Sequence, residues 1–303
     1  MYFVQKTLIF LFLTELFAIP QYYCTGANEP YFPHLLNLIG SIHNTNFNDL
    51  ETIAVFDFGL KEEQVKQLKR IKKVQVFSMR ENNPALTTYY SLPTGKKVFG
   101  WFAWKPVVIK EALERFPYIL WVDAGTTVLR PLGDLFEVIQ ETGYFLATIG
   151  DNQLSIGWGT TTFVKEQFQL NDPRNQWVLD REFVMGGIIG VAKNGQHHFL
   201  DTLYELTRDS RYYADDGTTP NGFGTGRHDQ TLLGIISYSR GLQVHEQDPM
   251  QIKPMKIGSQ GTLFYATWDS QFISDKTHIY SSRGDLRNLG FYLLSIQYSL
   301  ITE

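Results

Sequence analysis

Ile119-Leu120-Trp121-Val122-Asp123-Ala124-Gly125-Thr126-Thr127-Val128-Leu129-Arg130-Pro131-Leu132 is the stretch whose reading decides the fold. Residues 119–122 are an apolar run of the kind found in buried parallel strands. The run ends on a carboxylate, Asp123, and a turn follows at once. In open α/β sheets, ligands bind outside the carboxyl ends of the strands. Asp123 is therefore placed either to hold a metal ion or a ribose hydroxyl, or to cap the turn with its own side chain.

Upstream of this stretch, strands and helices alternate. Residues 21–25 read as a strand, 31–45 as a helix, 51–58 as a strand ending at Asp57, and 61–71 as an amphipathic helix. That helix carries Glu62 and Glu63 in its first turn and Lys69 and Arg70 in its last, as the helix dipole favours. Residues 74–77 form a third strand, 104–116 a helix and 119–122 a fourth strand. The alternation predicts a mostly parallel mixed sheet with helices on both faces, an α/β fold in a single domain.

Downstream, 145–148 and 183–192 read as strands, the second interrupted by Gly186, Gly187 and Gly190. Residues 198–208 and 229–239 read as helices. Residues 152–162 read as a loop, and 215–226, rich in Asp, Gly, Thr and Pro, as a mobile one. No repeat or low-complexity linker divides the chain.

The 303 residues are 43% hydrophobic and 19% charged, which suits a domain with a sizeable core. A net charge of −4, from 27 basic and 31 acidic residues, gives no electrostatic case for nucleic acid. Aromatic residues, at 15%, fit a packed core and equally the gripping of planar or sugar rings. The single cysteine, Cys24, excludes an internal disulfide and a cysteine-based zinc site. Residues 1–20 hold one Lys and then a short apolar run, expected to be a signal peptide or short signal anchor. The run is shorter than a membrane span and contains Glu15. The alternative is a buried first helix or extra strand. The chain has no Asn-x-Ser/Thr acceptor. A secretory location, in the ER or Golgi lumen or outside the cell, is expected if the segment acts as a signal, and a cytoplasmic one otherwise.

Five pieces, in order, carry a resemblance. They are Cys24-Thr25-Gly26-Ala27-Asn28 with the helix after it; Asp57-Phe58-Gly59-Leu60; Trp104-Lys105-Pro106 leading to Trp121-Val122-Asp123; Met185-Gly186-Gly187; and Arg227-His228-Asp229-Gln230. Over residues 21–280 the chain resembles nucleotide-sugar glycosyltransferases of the GT-A fold, in the style of glycosyltransferase family 8 and its relatives. The resemblance implies a domain over residues 21–285, with a nucleotide-binding half (21–150), an acceptor-side half (151–285) and a C-terminal segment at 286–303. It implies transfer of a hexose from a nucleoside diphosphate sugar to a glycan, protein or lipid acceptor, with membrane association possible through residues 7–20.

The chemistry is consistent with that reading. A departing nucleoside diphosphate needs its charge neutralised, and a divalent ion held by carboxylates does so as a Lewis acid. Hard oxygen ligands suit Mn²⁺ or Mg²⁺. Asp123 is the expected ligand, but the family's second acid is replaced by Gly125. His278 is either the replacement ligand, since the resemblance places a C-terminal histidine on the metal, or a surface or core histidine. Asp229 lies on the same helix face as Leu232 and Leu233, so it is either an N-terminal charge partner or a site residue. By resemblance, Gln230 faces the sugar beside it. Lys105 either contacts phosphate or is a surface lysine with a buried stem. Asn28 and Asp57, at strand ends, hold base or ribose, or serve turn chemistry. Gly186 and Gly187 let the backbone pass close to the substrates. Residues 215–226 are expected to close over bound donor.

Two other readings compete. Asp123-Ala124-Gly125-Thr126-Thr127 also resembles the phosphate-binding segment of sugar kinases, where threonine hydroxyls cradle ATP. The next residues, Arg130-Pro131-Leu132 and Asp134-Leu135-Phe136, read instead as a helix start and not as the second arm of a hairpin. The missing second acid also suits a non-catalytic nucleotide- or sugar-binding module of the same fold.

Overall fold

The computed structural model describes residues 19–246, apart from 96, 129, 149–153 and 197, together with 264–266. Its centre is a six-stranded sheet in the order β3-β2-β1-β6-β9-β8. The strands are β1 (Gln21–Ala27), β2 (Leu50–Asp57), β3 (Val74–Ser78), β6 (Tyr118–Val122), β8 (Tyr144–Phe145) and β9 (Ile188–Ala192). β1 pairs in parallel with β2 and β6, and β2 in parallel with β3. β9 runs antiparallel to both β6 and β8. The expected mostly parallel mixed sheet is therefore the observed one.

Side chains alternate between two faces along each strand, and each face has its own helical layer. Cys24, Ala54, Phe56, Ile119, Trp121 and Ile189 face one layer, built on α3 (Trp104–Leu113), α6 (Phe199–Leu206) and α7 (His228–Ser239). Tyr23, Ile53, Val55, Leu120 and Val122 face the other, built on α1 (Phe32–Asn46), α2 (Glu62–Lys69) and α4 (Gly133–Thr142). Both sides of the strands are thus dry, which is why their sequences read as continuous apolar runs.

The chain runs outward from β1 through β2 to β3, then returns to place β6 on the other side of β1. The strand order therefore reverses between β1 and β6. Such a switch point opens a crevice at the carboxyl ends of the two strands. Asn28 follows β1 there, and Asp123 follows β6.

Several boundaries differ from expectation. The second-half strands are shorter: only Tyr144–Phe145 and Ile188–Ala192 lie in the sheet. Residues 183–187 leave it: Phe183 and Val184 are buried in the core, and Gly186 and Gly187 lie against Asp229 and Asp123. The helix expected to reach 116 ends at Leu113, just short of Pro117. A short hairpin, β4 (Tyr89–Ser91) with β5 (Lys97–Phe99), and a helix, α5 (Thr162–Gln167), are additions to the sequence reading.

The kinase-like reading of residues 123–127 is not supported by the geometry. Thr126 and Thr127 are buried, and the Thr127 hydroxyl accepts a 2.8 Å hydrogen bond from Asn37 Nδ2. β7 (Thr126–Val128) pairs with β10 (Phe264–Ala266) and not back with β6, and α4 follows. These hydroxyls form part of the core and no phosphate cradle.

Residues 1–18, 247–263 and 267–303 lie outside the described residues, and with them most of the N-terminal apolar segment and His278. Among the described residues, no helix is long and apolar enough to cross a membrane.

Candidate active site

The crevice is built around one ammonium group. Lys105 sits in the first turn of α3, ahead of Pro106, a position where proline forfeits no helical hydrogen bond. Its side chain is 3% exposed. Nζ lies 3.2 Å from Asp123 Oδ1 and 2.8 Å from Asp229 Oδ2, and donates a 2.8 Å hydrogen bond to the Gly186 carbonyl. The Gly186 carbonyl takes a hydrogen bond from it, and the two carboxylates stand at ion-pair distance. The rings of Phe102, Trp104 and Trp121 surround it at 5.7–5.8 Å from their centroids. Lys105 is therefore not a solvent-facing lysine.

The two carboxylates arrive from opposite sides. Asp123 leaves the end of β6 in a turn closed by a 3.0 Å bond from Thr126 N–H to its carbonyl. Its Oδ1 also accepts a 2.7 Å bond from Trp121 Nε1. Asp229 is the second residue of α7, where a negative charge also favours the helix dipole. Their side chains are 19% and 13% exposed, so both carboxylates retain a solvent-facing edge above the buried lysine.

Burial shifts the titration of this cluster. It pushes the Asp123 carboxyl above the usual carboxylate range, against the pull of Lys105, and Asp229 adds to the rise. For Lys105, burial acts to lower the pKa. The two carboxylates outweigh it and hold the ammonium above its ordinary value. The lysine therefore stays charged, while Asp123 gives up its proton less readily than an ordinary carboxyl.

Met185-Gly186-Gly187 threads between the carboxylates. A Cβ on Gly186 would lie 2.7 Å from Asp229 Oδ2 and 3.0 Å from Gln230 Cγ. A Cβ on Gly187 would lie 3.3 Å from Asp123 Oδ2, and the Gly187 carbonyl accepts a 2.9 Å bond from Asp123 N–H. Of the residues singled out in the sequence, the structure thus gathers Lys105, Asp123, Gly186, Gly187, Asp229 and Gln230 at one place. Gly125 lies in the turn just after Asp123.

Asn28 and Asp57 stand on the same rim, beside one another through the Ala27–Asp57 pairing of β1 and β2. Asp57 Oδ1 accepts bonds from Gly59 N–H at 2.8 Å and Leu60 N–H at 2.7 Å, which is turn chemistry. Asn28 donates to the Tyr89 hydroxyl at 2.8 Å, and its Oδ1 is buried without a partner.

Among the described residues, the donor set does not fit the expected divalent ion. Among the described residues, no group of three His, Cys, Asp or Glu side chains could hold a metal. Gly125 offers no side-chain ligand atom, and the Asp123 oxygen Oδ1 is already engaged by the Lys105 ammonium and the Trp121 N–H. A cation so close to that oxygen opposes a second one in a low-dielectric site.

Three features escaped the sequence reading. The first is the aromatic wall: Trp101 stacks on Tyr90 at 4.9 Å and meets Phe223 at 6.3 Å. The second is backbone strain. Trp101, Phe102 and His228 have φ of 49°, 62° and 43°, in the left-handed region that L-residues avoid. The third is Asp215, which ties down the loop expected to be mobile. Its carboxylate accepts bonds from Gly217, Gly224 and Gly226 N–H groups at 2.8–2.9 Å. Asp215→Ala should strip a buried acceptor from three donors. The expected cost is about 1–3 kcal/mol, with new protease cleavage within 215–226 as the readout.

The chain has the GT-A fold of nucleotide-sugar glycosyltransferases. The apo form of the glycosyltransferase GlyE from Streptococcus pneumoniae TIGR4 superposes with a TM-score of 0.52 at 11% identity, over 92% of this chain and 62% of that one. An active-site glutamine-to-glutamate mutant of LgtC gives 0.50 at 10% identity, over 93% of this chain and 97% of that one. The bifunctional glycosyltransferase WbbM gives 0.47 at 16% identity, and there this chain spans 40% of the longer protein. No protein-family model and no curated protein sequence matches the chain.

Proposed function

We propose that this protein transfers a hexose from a nucleoside diphosphate sugar to an acceptor hydroxyl. One observation carries the proposal: a single buried ammonium, Lys105, gathers a carboxylate from the end of β6 and another from the start of α7 at the switch point of a GT-A sheet. Ligands of open α/β sheets occupy that crevice. The base and ribose are assigned to the rim at Asn28, whose buried Oδ1 awaits a donor. The sugar is assigned to the Asp229 and Gln230 side, whose side chains lie against the Gly186 backbone.

Chemically, the anomeric carbon gains positive charge as its bond to the diphosphate breaks. A carboxylate fixed beside it lowers that barrier without reorganising at the moment of reaction. Asp229 is in that role, held still by Lys105. The LgtC structure that shares this fold is described by its glutamine-to-glutamate change as an active-site mutant, and Gln230 takes the corresponding role in this proposal. A glycan acceptor is the counterpart we assign, in keeping with the exposed Phe223 ring beside Trp101, against which a sugar ring can pack.

A thermal-shift panel tests the reading. It uses the chain with UDP, GDP, CDP and ATP, each in Mn²⁺ and in EDTA. A ligand that binds only the folded state raises the Tm in proportion to occupancy. A shift with one nucleoside diphosphate is the expected result. If it requires Mn²⁺, His278 or another residue outside those described completes the ligand set. A response to ATP alone, or to none of the four, contradicts the proposal.

A further inference from the structure

His228 opens α7 immediately before Asp229 and is half-buried. Its ring lies 4.9 Å from that of Trp101 and 5.8 Å from that of Phe102. All three residues hold positive φ, so three strained positions converge on one imidazole beside the reacting end of the crevice. Strain of this kind persists where the surroundings over-determine it, and it gathers at functional sites.

The imidazole has one defined tautomer. Nδ1 lies 2.8 Å from the Tyr213 carbonyl oxygen. A carbonyl can only accept, so Nδ1 carries the hydrogen and donates it. In the neutral ring, Nε2 then holds the free lone pair. The charged groups around it are Asp229 on its own helix, Asp215 on the preceding loop and Arg227 just before it. Trp101 and Phe102, packed on the ring from the turn before α3, bring no charge. Burial is the largest influence and holds the pKa below the ordinary 6.5, against the Tyr213 bond and the two carboxylates and together with Arg227. The ring is neutral at pH 7. A neutral imidazole with its proton pinned on one nitrogen is a base with its lone pair ready on the other.

We propose that His228 is the general base of the transfer, accepting the acceptor hydroxyl's proton on Nε2. This rests on the transferase reading above. The acceptor oxygen forms its bond to the anomeric carbon, and its proton passes to Nε2. The bond from that carbon to the diphosphate oxygen breaks, and its electron pair leaves with the nucleoside diphosphate. The resulting imidazolium then gives its proton to solvent. The exposed Phe223 ring, 6.3 Å from the buried Trp101, is where an acceptor ring would rest.

His228→Asn isolates the role. The asparagine amide takes the place of Nδ1 and can still donate to the Tyr213 carbonyl, and asparagine tolerates the left-handed backbone. It has no basic nitrogen. Release of nucleoside diphosphate from UDP-glucose, UDP-galactose, UDP-N-acetylglucosamine and GDP-mannose would be followed against pH, with nucleotide affinity measured by calorimetry. The expected result is a kcat lower by about 10²–10⁴-fold with unchanged nucleotide affinity. The wild-type fall in kcat/KM toward acid, with a midpoint below 6.5, should vanish in the variant. His228→Gln, which loses the Nδ1 donor, should be no more active. A variant that keeps the wild-type kcat, or the acid limb, overturns the inference while leaving the transferase reading intact. A wild-type chain that binds none of the nucleotides overturns both.

Discussion

Lys105→Met should cost the fold about 3–5 kcal/mol, the penalty for removing one partner of a buried ion pair. Methionine keeps the stem among Phe102, Trp104 and Trp121, so lost packing is a minor part of the loss. What remains is two carboxylates, 19% and 13% exposed, facing a common point without the cation between them. Against a typical total of about 5–15 kcal/mol, that is a large fraction, and a fall in the denaturant midpoint reports it. The loss should also depend on pH in a defined direction. Asp123 already titrates above its ordinary range in the intact cluster, and removing Lys105 raises it further. A carboxyl whose folded pKa exceeds its unfolded value contributes stability at low pH that is lost as pH rises through the folded pKa. The variant should therefore be closer to the wild type at pH 5 than at pH 8. Equal midpoints for both proteins at pH 8 would show that the three groups do not form the cluster.

Gly186→Ala is expected to leave the fold largely intact and to abolish most of the activity. Gly186 is not among the positive-φ residues, so alanine carries no backbone penalty there. The obstacle is purely steric: the new methyl would sit 2.7 Å from Asp229 Oδ2 and 3.0 Å from Gln230 Cγ. Either the Asp229 carboxylate turns away from Lys105, or the Gly186 carbonyl withdraws from the same ammonium. Misplacing a reacting group by about 1 Å costs on the order of 10²-fold in rate. Gly187→Ala is the built-in comparison. Its methyl would stand 3.3 Å from Asp123 Oδ2, a contact that a small adjustment relieves. Turnover should rank wild type, then Gly187→Ala, then Gly186→Ala. The reverse order of the two variants would remove Asp229 from the reacting end.

The sheet was legible in the sequence because its central strands are dry on both sides. The runs at 52–56 and 119–122 alternate between two helical layers, and both layers are apolar. The same logic over-extended the segment at 183–192. Val184 and Met185 look like the start of a strand, but Gly186 and Gly187 are spent on passing between two carboxylates. The hairpin at Tyr89–Ser91 and Lys97–Phe99 is too short to show a period. At the site, Asp123 and Asp229 could be singled out from their place at a strand end and a helix start. Their meeting on Lys105 could not, because it depends on how α3 and α7 pack over β6. Hydrogen bonds such as Trp121 to Asp123 and His228 to Tyr213 are likewise products of the packed structure. The expected metal ligand set was inferred from resemblance. The residues present carry an ammonium beside Asp123 and a glycine where the second acid would stand.

The most direct test of the central claim is turnover of sugar nucleotides by the wild type and by Asp229→Asn, side by side. Asparagine keeps the size of the side chain and removes its charge. The account predicts that the wild type releases nucleoside diphosphate from one donor of the UDP- and GDP-sugar panel. It predicts that Asp229→Asn does so on the order of 10²–10³-fold more slowly while binding the free nucleotide equally well. Release by the variant at the wild-type rate, or no release by the wild type from any donor it binds, would contradict it.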